Sequence, residues 1–279
     1  EGGMAAAPAW KRFLVLVSGA GMNFLIGLLV LVLMFSAIGS PVQNQALITE
    51  IAPNSPAANA SMQVGDVITA VNGTDLKDLE HMNQLIQENL GKPISLTLLR
   101  DGESLELELT PRVNPPEGEG SVGIWYTNAY APLPFFKAVG SAFQTFGLQA
   151  RQTLLLPYNL ITGRVSGEDA RLVGIKGIFD IFSNASELDQ SSAVAAATPL
   201  PVFRLSVIST VSIALGLTNL LPIPALDGGQ ILFLLPEFLF KKRIPQRVAN
   251  TINSIFFLIL IGLMIFITVQ DFVNPIIQP

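Results

Sequence analysis

Hydrophobic positions follow three rhythms along this chain. The first is long and unbroken. Phe13 to Ile38 carries no charged residue, and a bilayer crossing needs roughly 20 apolar residues. Phe203 to Leu221 and Val248 to Val269 are similar in length and character. All three are predicted to be membrane-length helices. The second rhythm is short, between the first two spans. Gln45–Ile51 and Val67–Val71 read as strands, as do Ile94–Leu99 and Leu105–Leu109, with Leu105, Leu107 and Leu109 alternating against Glu106 and Glu108. Leu76, Leu79, Met82, Leu85 and Ile86 recur at helical spacing within Leu76–Leu90. Asn72-Gly73 and Asp101-Gly102 are turn signals between these elements. The third rhythm is amphipathic: Phe136, Val139, Phe143 and Phe146 are interleaved with Lys137, Gln144, Gln149 and Arg151. That pattern predicts a helix lying at the membrane surface, with Trp125, Tyr126 and Tyr130 as interfacial anchors. A surface helix packed on the small domain is the alternative.

The pattern divides the chain into four parts. Residues 1–40 hold a short cytoplasmic segment and the first membrane helix. Residues 45–112 form a small α+β domain. Residues 113–200 contain a Pro/Gly/Glu-rich linker at Asn114–Gly123, the amphipathic helix and a Gly-rich segment with Gly163, Gly167, Gly174 and Gly177. Residues 201–279 form a C-terminal membrane domain. The fold class expected is a polytopic α-helical membrane protein of about three transmembrane helices with an inserted α+β domain.

Charge orients these parts. Lys11 and Arg12 precede the first span, and Lys241, Lys242, Arg243 and Arg247 lie between the second and third. Short positive loops stay in the cytoplasm. Both clusters share that side if the spans run outward, inward and outward, which leaves the α+β domain extracytoplasmic.

Composition narrows the chemistry. Half of the 279 residues are hydrophobic, only 13% are charged, and the net charge is −5. A nucleic-acid footprint is absent. The chain has no cysteine and one histidine, His81. Thiolate metal sites and a cysteine nucleophile are excluded, and His81, on the predicted helix of the small domain, reads as a solvated surface residue. The chain begins at Glu1, which reads as an internal point of a longer protein.

The most informative stretch is Asn219-Leu220-Leu221-Pro222-Ile223-Pro224-Ala225-Leu226-Asp227-Gly228-Gly229. No charge lies between Arg204 and Asp227. An acid in such a place usually faces the protein interior and marks function. The two prolines remove backbone donors and break the helix, and irregular backbone at membrane depth needs protein or a water-filled cavity around it. Taken alone, Asp227 could equally be the N-cap of a following helix. Asn219 could cap the end of the second span, and Gly228 and Gly229 allow close backbone approach.

This stretch resembles the Asn-x-x-Pro-x-Pro-x-Leu-Asp-Gly motif of the site-2 protease family of intramembrane zinc metalloproteases. The resemblance implies that Asp227 is one zinc ligand and Asn219 a contact to substrate or the metal site, with Pro222, Pro224, Gly228 and Gly229 supporting the motif. It also implies a Zn²⁺ cofactor whose two histidine ligands, on a His-Glu-x-x-His helix, are not in this chain. Gly19-Ala20-Gly21-Met22-Asn23 partly resembles the family's Gly-Pro-x-x-Asn motif, with Ala20 in place of proline, and makes Asn23 a further candidate. Close helix packing through Gly19, Gly21 and Gly27 is the plainer reading. Val173–Ile178 resembles a Gly-rich family segment, but Ile175 replaces its proline and no role follows.

Ala52-Pro53-Asn54-Ser55-Pro56-Ala57, Val64-Gly65-Asp66-Val67-Ile68 and Val71-Asn72-Gly73 are similar to a bacterial-type PDZ domain, with Ser61 where glycine is usual. That implies an extended peptide ligand added to a sheet edge; its binding residues are not legible. The expected protein is therefore the C-terminal portion of an intramembrane zinc protease in a bacterial inner or plasma membrane. Its partners are the lipid bilayer, a membrane-protein substrate and a PDZ ligand, and the chain alone is expected to be inactive. A membrane-anchored PDZ scaffold or an inactive protease relative is the alternative. An aspartyl protease would need a second acid within an apolar span, and the spans as drawn hold none.

Overall fold

The computed structural model describes residues 7–164, 173–192, 198 and 200–275. Gly167 of the expected Gly-rich segment lies outside them. The chain forms two compact units: Met34–Phe135 with Glu187–Phe203, and Glu1–Leu33 with Phe136–Ser186 and Arg204–Pro279.

The first unit is a six-stranded antiparallel sheet. Its elements are β1 (Ser40–Ile51), α2 (Pro56–Asn59), β2 (Val67–Val71), β3 (Thr74–Asp75), α3 (Leu79–Gln87), β4 (Ile94–Arg100), β5 (Glu103–Leu109) and β6 (Ile124–Ala131); helix α1 (Ala9–Ala37) precedes them. The order is β5-β4-β2-β1-β6, with β3 on β2. Turn chemistry sets the hairpins. Asn72-Gly73 and Asp101-Gly102 each place two consecutive residues at positive φ, the conformation a tight two-residue hairpin demands. Asp78 caps α3 by accepting the His81 amide at 2.7 Å. Met82 and Ile86, four apart, then face a core of Ile48, Ile68, Ile94, Leu96 and Leu98. Asp66, 1% exposed, takes both Nε and Nη2 of Arg100 at 2.7 Å. This bidentate bond raises the Arg100 pKa against the opposing effect of burial. Ser61 has φ +60°, the left-handed geometry a glycine would adopt freely.

The sheet runs past the expected 45–112 boundary at both ends. β1 begins at Ser40, and β6 pairs with it from Ser40↔Ala131 to Ile51↔Ile124. The stretch expected as a linker, Asn114–Gly123, instead returns the chain to the same sheet. Arg112 donates its amide to Ser121 at 2.8 Å and pairs with Glu119 at 2.6 Å, and Val122 is buried. Trp125, Tyr126 and Tyr130 are strand residues of β6. The reason is non-local: the partner of β6 lies far back in sequence, and its own residues show no apolar alternation.

The second unit is helical: α1 up to Leu33, then α4 (Phe135–Ile161) from Phe136, α5 (Ile175–Ser191), α6 (Val202–Leu220), α7 (Asp227–Phe240) and α8 (Gln246–Val273). Among the described residues, α1, α6 and α8 are long and apolar enough to cross a membrane. Small residues bring α1 and α6 together. A Cβ at Gly27 would lie 2.6 Å from Ile213, and one at Gly216 would lie 2.5 Å from the Phe24 ring. Ser209 donates to the Gly27 carbonyl at 3.3 Å. The amphipathic helix α4 is present. Phe146 meets Phe24 edge-on at 5.4 Å, and Gln149 donates to Thr210, so this helix packs on α1 and α6.

Candidate active site

The end of α6 and the start of α7 build the site. Leu221 donates to Thr218, and the chain then breaks. Pro222 and Pro224 have no amide to give. Ile223 turns back to the Leu221 carbonyl at 2.7 Å, and Leu226 to that of Ile223 at 3.1 Å. Ala225 sits between them at φ +76°, and its amide is taken by the side-chain oxygen of Asn253 on α8 at 3.1 Å.

Asp227 is the first residue of α7, and Leu226 is its cap residue, with no side-chain capping bond. The N-cap reading of Asp227 is thereby corrected by one position. Its carboxylate still has the sign that a helix start favours. Among the described residues it accepts no hydrogen bond and joins no ion pair. It points instead at α1: a Cβ on Gly19 would stand 3.3 Å from its Oδ2.

Gly228 and Gly229 are buried because the break lies directly on them. A Cβ at Gly228 would come within 2.2 Å of the Leu220 carbonyl, and one at Gly229 within 2.2 Å of the Ile223 carbonyl. Neither position admits any side chain without moving backbone, so the break and the first turn of α7 are one packed body.

Asn219 lies inside the last turn of α6, half-buried, one residue before the helix end. It is neither the terminal cap nor hydrogen-bonded to Asp227. Asn23 lies one turn beyond Gly19 on the same side of α1, half-buried, and likewise makes no hydrogen bond to Asp227. Of the α1 glycines, Gly27 packs tightly, Gly19 meets Asp227 and Gly21 faces open space.

Two small cavities adjoin the break. One, of about 210 Å³, is lined by Ala225, Gln230, Asn253, Ser254 and Phe257. The other, of about 190 Å³, also touches Gln230 and Asn253 and reaches Arg12, Glu237 and Arg243. Arg12 of α1 pairs with Glu237 of α7, and Arg243 meets the same carboxylate at 3.0 Å.

Sequence reading missed three features. Asn253 carries no motif and is recognisable only by its contact. Asp271 lies inside α8, which runs beyond the expected end at Val269. Fully buried, it accepts the amides of Gly174 and Gly177 at 2.9 and 3.0 Å, at the start of α5. An acid thus does lie in a membrane-length helix, but 18 residues from Asn253, or roughly 27 Å along the helix at 1.5 Å per residue, and its work is to cap α5. The third feature is a groove in the sheet unit. β6 is an edge strand, and a cavity of about 260 Å³ lies between it and α3, lined by Asn83, Ile86, Gln87 and Gly120–Tyr126. The Tyr126 hydroxyl donates to Asn83 at 2.6 Å.

The described residues bring no three of His, Cys, Asp and Glu together, and a structural or catalytic zinc needs at least three protein ligands. His81 belongs to the sheet unit, where its Nδ1 accepts the Lys77 amide at 3.3 Å. Asp227 has no further pair of His, Cys, Asp or Glu beside it, so the described residues do not make up a zinc site.

Comparison with known proteins fixes the family. The sequence model of Peptidase family M50 matches residues 2–263. "Zinc metalloprotease RasP" of Shouchella clausii is 32% identical over 267 residues, covering 95% of this chain and 60% of that protein. "Regulator of sigma-W protease RasP" of Bacillus subtilis is 29% identical, covering 95% and 59%. The chain thus spans about 60% of the length of these relatives. Among solved structures, a PDZ domain of an SdrC-like protein from Listeria monocytogenes is similar at 16% identity and TM-score 0.28, covering 32% of this chain and 93% of that one. With residues 2–263 of its 279 matched by that one family model, this chain belongs to Peptidase family M50, the site-2 protease family of zinc metalloproteases.

Proposed function

We propose that this chain works as the C-terminal portion of a zinc-dependent intramembrane protease that cuts transmembrane segments of membrane-protein substrates. In this reading Asp227 supplies one zinc ligand, and two histidines from outside these 279 residues supply the others. The observation that carries it is the placement of Asp227: a carboxylate at the start of α7, in a proline-broken turn after an apolar helix, directed at Gly19 of α1. Asn219 and Asn23 are proposed as contacts to substrate backbone, one on each helix beside the break. By itself the chain neither holds catalytic zinc nor cleaves.

The sheet unit is proposed to be a PDZ domain on the extracytoplasmic side. An extended peptide would add to the free edge of β6 and lie against α3, with the Tyr126–Asn83 bond opening to admit it. The rival reading, a membrane-anchored scaffold, keeps the groove and discards the chemistry. The experiment that separates them is cleavage of a tagged membrane substrate by the full-length protein and by its Asp227→Asn variant. Loss of cleavage with normal insertion supports the protease. No cleavage by the unaltered full-length protein, with zinc supplied, would favour the scaffold.

A further inference from the structure

We infer that Asn253 is a positioning residue for Asp227, an assignment that rests on the proposed role of that carboxylate. Of the described non-glycine residues at positive φ, namely Asn54, Ser61, Asn72, Asp101, Ala225 and Lys241, Ala225 alone has no polar side chain to form a local bond. The left-handed region disfavours a residue with a Cβ, so something outside the turn must hold Ala225 there. Asn253 does so. Its side-chain oxygen accepts the Ala225 amide at 3.1 Å, while the other amides of the break, those of Ile223 and Leu226, are used inside it. Among the described residues it is the turn's one hydrogen bond to another helix, and it ties the turn to α8.

The consequence reaches Asp227 because nothing between the two can absorb a shift. Leu226 separates them, and the Ile223 carbonyl and Pro224 Cα press on Gly229. If Ala225 relaxed to negative φ, the turn would swing and carry the start of α7 away from Gly19. Asn253 lies seven residues into α8, so α8 acts as the brace for a carboxylate it does not touch.

The test reads geometry and activity separately. This sequence has no cysteine, so Gly19→Cys with Asp227→Cys introduces a unique pair whose oxidative cross-linking in membranes reports on residue 227 against α1. Adding Asn253→Ala should cut the cross-link yield several-fold. Asn253→Asp, which keeps an oxygen acceptor, should preserve much of it. Ala225→Gly should restore it in the Asn253→Ala background, because glycine holds positive φ unaided. In the full-length protease, Asn253→Ala should lower kcat about tenfold with KM little changed, the scale of one lost buried hydrogen bond, and Ala225→Gly should again relieve it. An unchanged cross-link yield in Asn253→Ala, or no relief by Ala225→Gly, would overturn the inference. A yield that falls while cleavage persists would leave the geometry standing and sink the reading of Asp227 instead.

Discussion

Gly19 and Asp227 share one space: the hydrogen atom at Gly19 leaves the volume that the Asp227 carboxylate occupies, and a Cβ there would be 3.3 Å from Oδ2. That distance is tighter than ordinary contact but within what a small shift can absorb. Gly19→Ala should therefore keep measurable cleavage in the full-length protease, while Gly19→Leu, whose branched side chain must displace the carboxylate, should abolish it. Membrane levels should be similar for both. Equal activity for the two variants would show that Gly19 does not border the working site.

Asp227→Ala and Asp227→Asn should both eliminate cleavage by the full-length protein without loss of insertion. Leu226, not Asp227, is the cap residue of α7, so little helix stability is at stake: a first-turn carboxylate contributes about 0.3–1 kcal/mol. Near-normal proteolysis by Asp227→Asn would refute a ligand role.

The sheet unit should fold alone as residues 38–133 and not as 45–112. The shorter fragment loses β6 and with it the whole β1–β6 ladder, the first residues of β1, and the cover that Val122 and Ile124 give the core. Trp125 on β6 offers a fluorescence probe for the longer fragment. A cooperative, equally stable unfolding transition in both fragments would contradict this.

Asp66→Ala should destabilise the 38–133 fragment by about 1–3 kcal/mol, because the Gln63 amide and the partly exposed Arg100 guanidinium both lose their acceptor. Arg100 has its pKa raised by the bond to Asp66, so its contribution is complete below the ordinary arginine value and fades only as pH rises through the folded one. Chemical denaturation of the variant beside the parent at neutral pH measures the loss; a change below 1 kcal/mol would mean the guanidinium finds another partner.

Asp271→Ala should loosen α5. Two buried amides, those of Gly174 and Gly177, would lose their acceptor, at about 1–3 kcal/mol each when left unsatisfied. Trypsin should then cut faster at Lys176, whose ammonium pairs with Asp180 in the intact helix. An unchanged cleavage rate would show that α5 is held by its apolar face alone.

The local elements were legible because their signals are local. Val67–Val71 appears with the expected bounds, and Asn72-Gly73 and Asp101-Gly102 make the expected turns. The helices α1, α6 and α8 match the apolar runs within a few residues. Asp227 stood out because an acid is costly after an apolar helix. What escaped was held by long-range contacts. Ile124–Ala131 is a strand only because β1 pairs with it, Asn253 matters only because Ala225 lies opposite, and Asp271 is a cap only for a helix 94 residues earlier. Composition carries no trace of such pairings.

The β1–β6 ladder also bears on synthesis. β1 leaves the ribosome directly behind α1, and its outer partner starts 73 residues later, from Ile51 to Ile124. At about 5–20 residues per second, that edge waits roughly 4–15 s with its backbone groups unpaired. Throughout that interval β1 is tethered beside the bilayer by α1, where a stray extended segment could claim its edge. The finished ladder is itself irregular, its register shifting between Val42 and Ala46 and between Ile48 and Glu50, so the edge closes only with a partner that matches these shifts, which a straight extended segment does not.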